Sequence, residues 1–107
     1  MKDYLIYAVD FDGTLCENKF PEIGHPKQNI IDFCIQKQKE GHKLILWTCR
    51  EHEELQKAVQ WCAEHGLTFE AVNANLPDEI EYYGNDCQKI GADFFIDDRN
   101  LFIDLEV

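Results

Sequence analysis

The chain has 107 residues, 45% of them hydrophobic and 29% charged, which suits one soluble domain over 1–107 and leaves little for a second. A net charge of −11 argues against a nucleic-acid-backbone binder, and no apolar run nears membrane-spanning length, so neither nucleic acid nor membrane is an expected partner. Five cysteines without a C-x-x-C pair, and no signal-peptide pattern, fit reduced thiols in a cytoplasmic protein.

Residues 5–10 begin as an apolar run, Leu5-Ile6-Tyr7-Ala8-Val9, which reads as a strand buried on both faces. Residues 11–26 carry Gly13, Pro21, Gly24 and Pro26 and are expected to be a loop or flap without regular structure, with Pro26 suited to a first helical turn. A helix is expected over 27–40, from the spacing of Ile30, Ile31, Phe33, Cys34 and Ile35 and from Lys37, Lys39 and Gly41 at its end. Residues 43–48 form a second apolar strand ending on a hydroxyl. A helix follows over 52–65, with Leu55, Ala58, Val59 and Cys62 on one face. A third strand is expected over 68–73, a helix near 78–90, a fourth strand over 92–98, and a short strand at 101–103. Strands alternating with helices predict a parallel sheet with helices on both faces, and ligands in such folds bind beyond the carboxyl ends of the strands.

Clustered acids stand at two of those ends: Asp10 and Asp12 after the first strand, Asp97 and Asp98 after the fourth. A buried strand ending on paired carboxylates is costly unless a proton or cation balances them. If the two strands are neighbours the four acids converge. Oxygen donors without Cys or His favour a hard ion, and Mg²⁺ commonly takes few carboxylates plus a phosphate. Thr48 can donate to a phosphate oxygen, and Lys89 can supply positive charge. Other readings stay open. With Glu51 three residues on, Thr48 could be a helix cap, and Lys89 could be a surface lysine. Arg50 could grip a phosphate or pair with Glu53 or Glu54 at the surface. Asn73 and Asn75 could line the same mouth or simply form turns.

Asp10-Phe11-Asp12-Gly13-Thr14-Leu15, then Thr48, Lys89 and Asp97-Asp98, each placed against an apolar strand or just before the last one, resemble in order the four motifs of the haloacid-dehalogenase-like (HAD) superfamily of phosphohydrolases. The resemblance implies a three-layer α/β/α sandwich around a Rossmann-like parallel sheet. It implies a Mg²⁺-dependent phosphatase acting on a phosphomonoester, in which Asp10 attacks phosphorus to form an aspartyl-phosphate and Asp12 serves as general acid and base. The same resemblance implies Mg²⁺ held by Asp10, by the Asp12 backbone carbonyl and by Asp98, with Asp97 outside the direct ligands. Neither interval between motifs holds a separate folded cap, so the chain resembles the capless subgroup. An open site would suit a bulky phosphorylated substrate or shielding by a second subunit in a homo-oligomer. A phosphotransferase, a receiver-type phosphoacceptor and a silent binding protein are the competing classes. The motif order disfavours the receiver, and the presence of both Asp10 and Asp12 disfavours the silent protein.

Overall fold

The structure, a computed structural model, describes residues 3–100. The first apolar run forms β1 (Ile6–Val9), and all four of its residues are buried. It lies in the middle of a four-stranded parallel sheet between β4 (Lys43–Leu46) and β6 (Phe94–Ile96), with β5 (Ala71–Val72) beyond β4. The alternation of strands and helices therefore translates into parallel pairing, with the first and last strands as neighbours.

The residues expected to be an irregular flap form an antiparallel hairpin, β2 (Cys16–Lys19) and β3 (Glu22–Pro26). Its prolines do not break it. Pro21 falls in the turn and Pro26 is the last strand residue, so neither stands inside a run of ladder bonds. Most residues of the hairpin are at least partly exposed, so no apolar alternation announces it. Pro26 belongs to this strand and not to a helix, because Lys27 is the residue before α1 (Gln28–Lys39).

Helices α1 and α2 (His52–Glu64) fall where their apolar spacing places them. Ile31 and Cys34 of α1 and Ala58 and Cys62 of α2 pack with Tyr7, Val9, Leu44 and Leu46, the side chains on one face of the sheet. The opposite face carries Ile6, Ala8 and Ile45 against Leu76 and Ile90, which bracket α3 (Pro77–Tyr83). That third helix ends well short of the expected 90. Gly84 adopts the left-handed conformation with φ of 79° and gives its N–H to Ile80, which stops the helix after two turns. No residue of α3 is buried, so this face is covered more thinly than the first. Among the described residues no cap domain interrupts the α/β core, and none of the helices is long and apolar enough to cross a membrane. The short strand expected at 101–103 lies outside the described residues.

Candidate functional site

Register brings the acids together. Val9 pairs with Ile96 on one side and with Leu46 on the other, so the chain leaves all three strands at one level. Asp10 continues the ladder by donating its N–H to the Ile96 carbonyl at 2.9 Å, which sets it beside Asp97. Carboxylate oxygens of Asp10, Asp97 and Asp98 lie within 4.8 Å of one another. The loop after β1 turns back through bonds from the Thr14 and Leu15 N–H groups to the Phe11 carbonyl. This buries Thr14, whose hydroxyl lies 3.1 Å from Asp10 Oδ2 and 3.4 Å from Asp98 Oδ1. Gly13 has φ of 89°, and a Cβ there would come within 2.3 Å of Asp98 Oδ2. The absent side chain makes the space that Asp98 fills.

Crowding shows in the electrostatics. Burial, and next the charge of Asp97, push the Asp10 carboxyl up to about 6. Asp98 is held below the usual carboxylate range: burial acts against its ionisation, but hydrogen bonds from Asp10, its own N–H and Asp97 outweigh that cost. The first proton that the ion-free pair takes up on acidification therefore goes to Asp10. Three carboxylates this close, oxygen donors only, with a glycine-made recess for one of them, fit a hard divalent cation.

Asp12 is not one of this triad. Its two oxygens accept from Arg50 Nη2 at 2.7 Å and Nε at 2.8 Å. Arg50 was expected either to grip the substrate or to pair at the surface with Glu53 or Glu54. At 2% exposed it makes no surface pair; it lines the cleft with Asp10, Asp12 and Thr48, and its side-chain partner is Asp12. Its remaining N–H groups go to the carbonyls of Pro21, Glu22 and Glu54, so all five donors are spent within the protein. The guanidinium also lies 5.0 Å from the ring centres of both Phe11 and Phe20. Arg50 thus fastens the hairpin, the Asp12 loop and the start of α2 to one another. It is held above its ordinary range, first by its hydrogen bonds to Asp12.

Thr48 stands at the cleft rather than capping α2, whose N-cap is Glu51. Its hydroxyl oxygen accepts the Arg50 N–H at 3.2 Å, which leaves the hydroxyl proton to donate. Asn73 holds the Thr48 N–H at 2.8 Å from a left-handed conformation with φ of 52°. Asn75 is buried elsewhere, binding Asp86, Cys87 and Gly91.

A cleft of about 420 Å³ collects Asp10, Asp12, Thr48, Arg50 and Asp97 with Asn18, Phe20, Cys49 and Arg99. Lys89 is not among its walls. It is exposed in a separate recess of about 150 Å³ beside Asn75 and Tyr83, because the chain after α3 runs on as an irregular segment rather than as the expected helix. Asp98 faces a second hollow with Gly13, Thr14 and Lys27, and the Lys27 ammonium donates to the Gly13 carbonyl at 2.7 Å. Sequence reasoning missed Phe20 and Asn18, since the hairpin carrying them was read as irregular. It also missed Arg99, although adjacency to Asp98 was a usable signal.

No protein-family model and no curated protein matches this chain. Among solved structures, a conserved protein coded by a locus from Bacteroides thetaiotaomicron matches with a TM-score of 0.82 and 41% identity, over 92% of this chain and 79% of that one.

Proposed function

We propose that this chain, which belongs to the same family as the conserved Bacteroides thetaiotaomicron protein, is a Mg²⁺-dependent phosphohydrolase of the HAD type that cleaves a phosphomonoester. The observation that carries this reading is the meeting of Asp10, Asp97 and Asp98 past the ends of adjacent parallel strands. With it goes the three-layer arrangement of that superfamily, supported by core residues on both faces of the sheet.

Asp10, Asp97 and Asp98 would hold the Mg²⁺, joined by the Asp12 backbone carbonyl. When bound, the ion supplies positive charge that keeps Asp10 ionised and offsets the charge of the phosphate. A carboxylate oxygen of Asp10 then forms a bond to phosphorus as the bond to the alcohol oxygen breaks, giving an aspartyl-phosphate. Thr48 donates its hydroxyl proton to a phosphate oxygen.

Asp12 takes and returns the proton. Both its oxygens accept from Arg50, which fixes its place beside the cleft for the second half-reaction, where it takes a proton from water as the water oxygen bonds to phosphorus and the Asp10–phosphorus bond breaks. To protonate the departing alcohol in the first half-reaction, Asp12 must carry a proton and yield one of its bonds to Arg50. Arg50 is accordingly a positioning residue for Asp12, not a phosphate ligand. Lys89 would have to swing from its recess to meet the phosphate, whereas Arg99 already lines the cleft.

The test is phosphate release from a broad panel of phosphomonoesters, with Mg²⁺ and with chelator. Mg²⁺-dependent release from at least one member is expected. Its absence across the panel overturns the reading.

A further inference from the structure

One large apolar side chain of the cleft has no packing role in the core. Phe20, at the tip of the β2–β3 hairpin, is 57% exposed and lines the cleft with Asp10, Asp12 and Thr48. A single exposed phenylalanine is ordinary on a protein surface. This one differs in how firmly it is held. Arg50 lies 5.0 Å from its ring centre and binds the carbonyls of Pro21 and Glu22, the two residues that follow it. Arg50 itself is buried, has no unused donor and also lies 5.0 Å from the Phe11 ring centre. The Phe20 N–H is in turn held by Asn18 Oδ1 at 3.3 Å.

A ring held beside a buried cation, yet 57% exposed and lining the cleft, is a preorganised surface for another flat π-system. Stacking there removes apolar area from water without the entropy of ordering the platform. Arg99 and Asn18 complete the wall with polar groups. A small aliphatic or sugar alcohol would leave most of the ring wet. We infer that Phe20 is a specificity-determining residue, and that the alcohol of the phosphomonoester carries a planar aromatic ring lying against it. The inference rests on the phosphohydrolase reading and names its substrate class. Two sources share this chemistry, a simple aryl phosphate and a nucleoside monophosphate.

The experiment uses the whole chain with Mg²⁺ and two non-reacting ligands, phenylphosphonate and cyclohexylphosphonate, alongside turnover of phenyl phosphate, a nucleoside 5′-monophosphate and glycerol 2-phosphate. The wild type should bind phenylphosphonate roughly tenfold more tightly than cyclohexylphosphonate, the scale of one aromatic stack. Phe20→Leu should erase that preference, and Phe20→Tyr, which keeps the ring, should retain it. In turnover, Phe20→Leu should raise KM for ring-bearing substrates about tenfold more than for glycerol 2-phosphate. A selective loss on either ring-bearing substrate supports the platform and identifies its source. Equal losses on ring-bearing and ringless substrates, or no preference in the wild type, overturn it. Absence of turnover on these three and across the broad phosphomonoester panel overturns the phosphohydrolase reading, while the phosphonate preference still decides whether Phe20 stacks.

Discussion

Replacing Arg50 by Met keeps a long stem near Phe11 and Phe20 but removes every N–H that the guanidinium supplies. Asp12, whose side chain is 17% exposed, then loses both donors at 2.7 and 2.8 Å, and the carbonyls of Pro21, Glu22 and Glu54 lose theirs. Removing one partner of a largely buried ion pair costs about 3–5 kcal/mol, because the other charge stays behind unpaired. In a domain of this size that lowers Tm by on the order of 20 °C. Most of the cost belongs to the stranded carboxylate and not to lost packing. Adding Asp12→Asn to the Arg50→Met chain should therefore restore about 2 kcal/mol, while Asp12→Asn in the wild-type background should destabilise. Urea unfolding of the four proteins, followed by far-UV circular dichroism, measures the cycle. A loss below about 1 kcal/mol in Arg50→Met, or the same effect of Asp12→Asn in both backgrounds, would show that Arg50 does not hold the hairpin and the Asp12 loop as argued.

The raised Asp10 carboxyl makes a prediction with a definite sign. Its folded value of about 6 lies above its usual 3.8, so in the ion-free protein ionised Asp10 costs stability fully above pH 6, and that cost disappears below pH 4. Asp10→Asn should stabilise the ion-free protein at pH 7.5 by roughly 1–2 kcal/mol, after allowance for partial exposure, and leave it unchanged near pH 3.5. Urea unfolding at the two pH values checks this, and a gain at both removes the electrostatic cause. Gly13→Ala should lower Tm and abolish the rise in Tm on adding Mg²⁺, because the new Cβ would stand 2.3 Å from Asp98 Oδ2. Gly41→Ala is the control: its φ of 93° gives similar backbone strain, but nothing lies within 4 Å, so the Mg²⁺ response should persist. Loss of the response in both variants would deny Gly13 its special place.

How far the sequence carries the fold depends on what each segment buries. The apolar runs that became β1 and β4, and the helical spacing of α1 and α2, were legible because each meets the same core. The hairpin was hidden because its residues face solvent and its prolines sit at the turn and the strand end, where they do no harm. The helix end at Tyr83 could have been placed from Gly84 alone. At the site, Asp10, Asp97 and Asp98 were legible as acids after apolar strands, and the parallel register brings them together. Arg50 was legible as a candidate, but its partners were not. Its partner Asp12 stands 38 residues earlier, and the carbonyls it binds belong to the hairpin that the sequence concealed. Lys89 shows the opposite limit: a motif-like position in the chain fixes neither the direction of its side chain nor the cavity it enters.

Phosphate release by the wild type and by Asp10→Asn, each with Mg²⁺ and with chelator, tests the central proposal most directly. Asp10 is placed as the nucleophile and also as a metal ligand. The wild type should release phosphate only with Mg²⁺, and Asp10→Asn should lose on the order of 10³-fold or more while unfolding as cooperatively as the parent. Phosphate release by a folded Asp10→Asn protein at a rate near the wild type, or wild-type release indifferent to chelator, would contradict it.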